Sequence, residues 1–285
     1  MLGLGLGLNK GAYARIKTSK SFIFDIDITS TFSLPLEATG TYNFKCYWGD
    51  GSYSTITTYN QAEVTHTYAS AGTYTVIING TLIGWRSANT WTHRTNITNI
   101  KQWGTLKFTN SNGTFWGCSN LTITATDIID LTSTTNLTYF FRGCAKITTI
   151  PNIHLWDVSN ITHMLSVFNG CVLFNQSLVG WNCVKVTSYA NMFIDASSYN
   201  QDLSQVIKLN SVPPNGYVTL YPTGAYLSTA NYDLLLVALA GQTTVNTGIS
   251  LSVGTTKYTN AGDVATARNF LASTKSWIIT DGGAV

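Results

Sequence analysis

The sequence has few charged residues for its length. Only 10% of its 285 residues are Asp, Glu, Lys or Arg, whereas soluble domains usually contain about 25%. The formal net charge is +3, and the basic residues form no patch of the kind that nucleic-acid binding requires. Thr, Ser and Asn supply the polarity instead, and hydrophobic residues make up 44%. This composition predicts a folded, β-rich protein with no nucleic-acid partner.

Motifs for catalysis, cofactor binding and metal binding are also missing. The histidines are scattered, at His66, His93, His154 and His163, and no GxSxG element supplies a nucleophile. Asp25 and Asp27, together with Asp50, raise the alternative of a calcium site, but no DxDxDG loop is present and Ca²⁺ needs about six to eight oxygen ligands. No acidic pair stands in a motif that suggests a glycosidase. The sequence therefore predicts a protein that is not an enzyme and has no cofactor or metal ion.

Long apolar runs are absent as well. None approaches the ~18 residues that span a bilayer, so membrane insertion is not expected. Residues 1–20 begin with alternating Leu and Gly, continue with scattered basic residues, and lack the features of a signal peptide. We expect them to form an anchoring leader whose candidate assembly anchor is Leu2, Leu4, Leu6 and Leu8, because alternate side chains of an extended segment share one side. The alternative is a leader that folds back on its own chain as an edge strand.

Residues 21–90 have the pattern of short strands separated by turns. Apolar and polar residues alternate from Phe24 to Thr29, which is typical of strands in a β-sandwich. Two strings, YWGDG at 47–51 and HTYASAGTYTV at 66–76, resemble the polycystic-kidney-disease (PKD) domain. The resemblance implies an immunoglobulin-like sandwich that serves as a spacer or binding module.

Residues 91–210 contain a repeat. FWGC at 115–118 recurs as FRGC at 141–144, FNGC at 168–171 and FIDA at 193–196, so the last residues of these strings are 26, 27 and 25 positions apart. A period of about 20–29 residues is typical of leucine-rich repeats, whose units stack to share one core. The string LWDVSNITHMLSVFNGCVLFNQSLVGW at 155–181 resembles the BspA-like, mycoplasma-lipoprotein-type leucine-rich repeat. This resemblance implies a solenoid that binds partners or host surfaces.

The cysteines follow the repeat. The chain has five, Cys46, Cys118, Cys144, Cys171 and Cys183, so they cannot all pair within the chain. Ala196 takes the place of Cys in the fourth unit, which favours a packing role for this position. We expect Cys118, Cys144 and Cys171 to be reduced, buried and stacked, and not to form a metal or redox site.

The tryptophans have two possible roles. Trp156 and Trp181 are equivalent in the repeat, which favours the core. The others near the boundary at 90/91, at Trp85, Trp91, Trp103 and Trp116, are expected to pack the two regions together. The alternative is a set of platforms on which sugars stack.

Residues 211–285 are predicted to cap the solenoid. A helix is expected at 232–239, a strand at 249–253 and a second helix at 261–271, because a stack of repeats needs a terminal unit with a polar outer face. The ending, KYTNAGDVATARNFL followed by WIITDGG, resembles the ends of phage proteins that carry the same repeat.

These features together predict a structural protein of a bacteriophage particle, exposed on the tail, a fibre or the capsid. Its expected partners are other virion proteins, a host surface glycan or protein, and further subunits of a homo- or hetero-oligomeric assembly. The expectation rests on the resemblance, on the leader and on the lack of an export signal. The alternative is a leucine-rich-repeat adhesin of the bacterial cell surface.

Overall fold

The computed structural model of the protein describes residues 19–88, 90–221 and 227–285. Strands predominate, which confirms the predicted mainly-β class. The strands are β1 (Phe22–Ile28), β2 (Thr31–Ser33), β3 (Leu36–Tyr47), β4 (Tyr53–Ile56), β5 (Thr65–Thr67), β6 (Gly72–Trp85), β7 (Ile97–Gln102), β8 (Leu106–Lys107), β9 (Thr122–Ile123), β10 (Tyr217–Tyr221), β11 (Ser250–Val253) and β12 (Ile278–Thr280). The α-helices of the described segments are α1 (Thr229–Ala240) and α2 (Gly262–Asn269). Short 3-10 turns lie at Ala62–Val64, Arg94–Asn96 and Ile153–Leu155, and a π-helical turn, Phe270–Thr274, extends α2.

Seven strands form one large sheet. Its order is β4-β3-β6-β1-β7-β9, and β8 pairs with β6. β1 lies between β6 and β7 and is antiparallel to both. Asp25 and Asp27 occupy the less buried side of β1, while Phe22, Phe24 and Ile26 are fully buried. β2 and β5 form a separate two-stranded sheet.

The large sheet continues past residue 90 and leads into the repeats. β7 pairs with β1, and β9 pairs with β7 in the parallel direction, with Asn99 opposite Thr122. The side chains of Asn99 and Thr124 are also hydrogen-bonded, with 3.0 Å between Nδ2 and Oγ1. The sheet and the first repeat therefore share strands.

The repeat units stack through backbone hydrogen bonds. The repeated phenylalanine of each unit donates its N–H to a carbonyl of the next unit, as in Phe141 to Val167 at 3.0 Å and Phe168 to Met192 at 3.0 Å. The same relation holds for Phe115 with Phe140 and for Phe193 with Leu220. The period found in the sequence is thus the spacing of layers that bond to one another.

Aromatic rings fill the interior of this stack. Phe115, Phe141, Phe168, Phe193 and Tyr221 form one ladder, with centroid separations of 5.8, 6.0, 5.7 and 5.8 Å. All five side chains are fully buried. A column of equivalent rings buries a large apolar area in every unit, which no unit achieves alone.

Two backbone positions in each unit have positive φ. One lies two residues before the ladder ring and the other two residues after it. The first set is Gly113, Tyr139, Ser166 and Asn191, and the second is Gly117, Gly143, Gly170 and Asp195. Their N–H groups reach the next unit, as in Ser166 to Ala190 at 2.9 Å and Gly170 to Ile194 at 2.7 Å. Glycine suits the second position because a Cβ on Gly170 would lie 3.3 Å from the Cα of Gly143.

The C-terminal region continues the stack. The helices lie at 229–240 and 262–269 and the strand at 250–253, close to their predicted positions. β10, β11 and β12 form a parallel three-stranded sheet that the sequence did not indicate. Tyr189 donates its N–H to Tyr217 at 3.0 Å, so β10 forms the layer after the fourth repeat.

None of the helices in the described segments is long and apolar enough to cross a membrane. Residues 1–18, which include most of the predicted leader and the candidate anchor leucines Leu2, Leu4, Leu6 and Leu8, lie outside the described residues.

Candidate functional site

The repeated cysteines form a column inside the stack. Cys118, Cys144 and Cys171 are free and fully buried, as predicted. The Cys144 thiol donates to the carbonyl of Phe115 at 3.1 Å, and the Cys171 thiol donates to the carbonyl of Phe141 at 3.0 Å. Each thiol thus bonds to the preceding unit and helps to hold the layers in register.

Burial also makes these thiols poor nucleophiles. It raises the pKa of Cys118 to about 12 and raises the pKa values of Cys144 and Cys171 above the ordinary 9.0. Reactive cysteines need a lowered pKa and access to solvent. The column therefore has the environment of packing residues.

His66, Asp50 and Ser52 form a group of polar side chains with the residue types of a catalytic triad. The Nε2 atom of His66 lies 2.7 Å from Oδ2 of Asp50 and 3.4 Å from Oγ of Ser52. A catalytic triad needs the acid and the nucleophile on opposite ring nitrogens. Ser52 instead donates its hydroxyl to Asp50 at 2.6 Å. The group fastens the turn after Trp48, on whose ring His66 stacks at 4.9 Å.

The acidic residues that were possible calcium ligands form hydrogen bonds and an ion pair with other side chains. Asp25 accepts a hydrogen bond from Thr75 at 2.6 Å and pairs with Lys101 at 2.7 Å, and Asp27 accepts from Thr73. Asp50 belongs to the turn described above. Within residues 19–88, 90–221 and 227–285, no group of three or more His, Cys, Asp or Glu side chains is placed to hold a metal ion.

A buried ion pair connects the elements of the C-terminal region. Asp281 has only 4% of its side chain exposed, and its Oδ2 accepts from Nε of Arg268 at 2.8 Å and from the Tyr232 hydroxyl at 3.0 Å. The bond to Asp281 raises the pKa of Arg268. Arg268 also covers the ring of Tyr258 at 4.5 Å. This network joins α1, α2 and the end of β12.

The boundary tryptophans pack in different places. Trp85 contacts Phe22 and Phe24, within the large sheet, at 5.1 and 5.3 Å. Trp103 contacts Trp156 at 6.0 Å and so joins the sheet region to the repeats.

Trp116 lies at the surface of the repeats in an aromatic and cationic cluster. It contacts the ring of Tyr139 at 5.0 Å, and the guanidinium of Arg142 lies over both rings at 4.8 and 5.1 Å. The three side chains are partly exposed. Aromatic rings beside Arg are common in binding surfaces, because they present a large contact area at low entropic cost.

A groove lies between α1 and α2. It has a volume of about 660 Å³, and its apolar lining includes Leu234, Val237 and Val264. Leu234 is 51% exposed and Val237 is 39% exposed. Asp233 and Asp263 also line it, together with Ser204 and Gln205 of the last repeat. The sequence predicted α1 but not this groove, although its run of apolar residues on every side of the helix was a signal for it.

Residues 86–206 match a family model described as "Mycoplasma protein of unknown function, DUF285". The match covers the repeats and agrees with their resemblance to mycoplasma-type repeats. Comparisons with curated proteins and with solved structures gave no match.

Proposed function

We propose that this chain is a non-catalytic structural protein of a bacteriophage particle, and that it displays its stacked repeats for adhesion to the host or to other virion proteins. In this proposal the N-terminal sheets are a PKD-type, immunoglobulin-like sandwich. The repeats are a leucine-rich-repeat-like solenoid, and residues 211–285 are its cap. The tail, a fibre and the capsid are the positions in which such a protein is displayed.

The observation that carries the proposal is the continuity of the stack. Layers bond to one another from Gly113 to Leu220 and pass into β10, β11 and β12. A stack of this kind is stiff and presents a long surface on which each unit contributes side chains at the same place. Such a surface suits binding to a large partner better than the conversion of a small molecule.

The environments of the cysteine thiols and of His66 support a role without catalysis. The thiols of the column are buried and bonded to carbonyls, and the His66 group has both polar partners on one nitrogen. The aromatic cluster of Trp116, Tyr139 and Arg142 is a suitable place for a partner to bind, because its rings and guanidinium are already oriented by one another.

Mass spectrometry of purified particles tests the proposal. The chain should be present in particles at a fixed number of copies relative to the major capsid protein, and it should stay with them through a density gradient. A chain that is found only in the soluble fraction of lysed cells would contradict the proposal.

A second candidate is a leucine-rich-repeat adhesin of the bacterial cell surface. The observation that favours it is the family match, since the family description names Mycoplasma, which is a bacterium. The same experiment separates the two candidates if the cell envelope is analysed beside the particles. An adhesin of the cell surface would be found in the envelope of cells that carry no phage.

A further inference from the structure

The outer side of helix α1 has the composition of a buried surface. The side facing the core consists of Tyr232, Leu235, Leu236 and Leu239, all of them buried. The opposite side carries Ala230, Leu234, Val237 and Ala238, and these line the groove. A helix at the surface of a globular protein normally has a polar outer side, and a helix that is apolar all round is normally covered. The groove therefore has the character of an occupied site.

The groove has charge of one sign only. Among the residues that the structure describes, the charged ones that line it are Asp233 and Asp263. Asp233 is committed to Thr259, whose N–H and hydroxyl it accepts at 2.9 and 2.6 Å. Asp263 is exposed in the first turn of α2. A complementary occupant is apolar and basic.

One segment of this chain has that chemistry. Residues 1–20 contain four alternating leucines and four basic residues, Lys10, Arg15, Lys17 and Lys20, and no acidic residue. We propose that the leader of one copy binds in the α1–α2 groove of a second copy, with leucines over Leu234 and Val237 and basic side chains beside Asp263. This inference deepens the proposed function, since it names the partner of the anchoring leader.

The layer order favours a second copy as the donor of the leader. The described chain starts beside the large sheet, where Gln102 donates its side-chain N–H to Ser21 at 2.7 Å. The groove lies after the last repeat, where Asn231 of α1 donates to Asn200 at 2.9 Å. The two places are separated by the ring ladder, with its steps of 5.7 to 6.0 Å. A leader bound in its own groove has to run along the whole stack, whereas the leader of a neighbouring copy does not.

Contacts of this head-to-tail kind are heterologous, so they form rings or open filaments. A purified chain should therefore self-associate in sedimentation experiments over about a hundredfold range of concentration. Replacing Leu234 with Gln should weaken the association about tenfold or more, because a leucine contact is lost. Leu173 is 49% exposed on the repeats, and the matched variant Leu173→Gln should associate as the native chain does. Asp263→Lys should also weaken association, most strongly at low salt.

A mixing experiment tests the leader and the groove together. A chain that lacks residues 2–9 keeps an intact groove, and the Leu234→Gln chain keeps an intact leader. At a concentration at which the native chain associates and neither variant does so alone, an equimolar mixture of the two should form heterodimers that grow no further. Circular dichroism and thermal melts check that both variants fold, and Val237→Gln replaces Leu234→Gln if the latter does not.

Three results would overturn the inference. They are a native chain that is monomeric throughout the concentration range, a mixture without heterodimers, and a Leu173→Gln variant whose self-association is weakened as much as that of Leu234→Gln. All three measurements use purified protein. They are therefore independent of whether the chain is found in particles, and a failure here leaves the proposed function to its own test.

Discussion

The N-terminal sheet and the repeats bury aromatic side chains in different ways. In the sheet, Trp85 meets Phe22 and Phe24 edge to face, with interplanar angles of 82° and 73°. In the repeats, the ladder rings are stacked, with interplanar angles between 5° and 28°. Antiparallel strands bring together unlike residues that are distant in sequence, so each contact has its own geometry. Stacked units bring together equivalent residues, so one geometry is repeated.

This difference has a consequence for mutation. A residue inside the repeats packs against the units on both sides of it. The residues at the same place in the other units show which side chains that place accepts. A position in the sheet has no equivalents. Substitutions in the repeats are therefore a direct test of whether equivalent positions carry equivalent energies.

The largest effect is expected for Phe168→Ala, in the middle of the ladder. Phe168 contacts Phe141, Phe174, Trp181 and Phe193 and is fully buried. The free energy of unfolding should fall by about 3–5 kcal/mol, the range for a large aromatic removed from a core. Urea denaturation measures it. Thr187→Ala is the control, since Thr187 is partly exposed and its hydroxyl donates one bond to Thr162, worth about 1 kcal/mol. Equal losses would show that the ladder does not carry the stability of the repeats.

A smaller loss is expected for Gly170→Ala. Gly170 has φ of 73°, and a Cβ there meets Gly143. The left-handed conformation costs an L-residue about 1–2 kcal/mol, so unfolding should become easier by at least that amount. Asp195 is the equivalent position with φ of 57°, and Asp195→Gly should stabilise the chain by up to about 1 kcal/mol. Stabilisation by Gly170→Ala would contradict the equivalence of the two positions.

The buried thiols predict a loss of stability at alkaline pH. The pKa of Cys118 is ordinarily 9.0 and is raised to about 12 by burial. A raised pKa contributes stability that is complete below pH 9 and is lost as the pH rises toward 12, because only the unfolded chain ionises in that window. The loss should be about 1 kcal/mol for this thiol by pH 10.

Denaturation at pH 8, 9 and 10 measures this loss. Cys118→Ala should have a shallower dependence on pH than the native chain, even if it is less stable at pH 8. Ala196 occupies the equivalent position of the fourth unit, so alanine fits the column. An unchanged dependence on pH would mean that the thiol ionises as easily in the folded chain as in the unfolded one.

The smallest effect on the free energy of unfolding is expected for Asp50 at acidic pH. Burial alone raises the pKa of Asp50, but hydrogen bonds from Ser52 and His66 outweigh it and hold the pKa below 3.8. The stability that this carboxylate contributes is present above pH 4 and is lost as the pH falls through the lowered pKa. Asp50→Asn should therefore be less stable than the native chain at pH 6, by less than about 1 kcal/mol, and the difference should shrink at low pH.

Asp157 provides the matched variant in the repeats. It accepts the N–H of Ser159 as Asp50 accepts that of Ser52, both at 3.0 Å, but no histidine of the described segments bonds to it. Asp157→Asn should change the acid dependence less than Asp50→Asn does. The reverse order would show that the His66 contact adds nothing.

The repeats could be predicted from the sequence because each unit needs the same buried residue types at the same places. The spacing of 26, 27 and 25 residues, and the replacement of Cys by Ala196, indicated a buried, stacked column of Cys118, Cys144 and Cys171. The structure places these residues as expected. The two left-handed positions were less visible, because Tyr139 and Ser166 occupy sites where Gly113 stands in the first unit.

Other features depend on contacts that leave no local pattern. β9 has two residues and gains its partner β7 only when the chain folds. The strands β10, β11 and β12 lie in consecutive layers, but Tyr217, Ser250 and Ile278 are separated by 33 and 28 residues, which hides the period. The groove beside α1 could not be predicted because α1 is apolar on every side, so its sequence does not show which side faces the core and which lines the groove.

We propose that the repeats are displayed on the outside of a particle, and the chain's own cysteines allow a direct test. All five cysteines are buried and free, so a thiol reagent that cannot enter particles should leave the native chain unlabelled. Lys146 is exposed on the repeats, and Lys146→Cys adds one accessible thiol. Intact purified particles that carry this variant should be labelled on this chain to the same extent as disrupted ones. Particles that lack the chain, or that are labelled only after disruption, would contradict the claim.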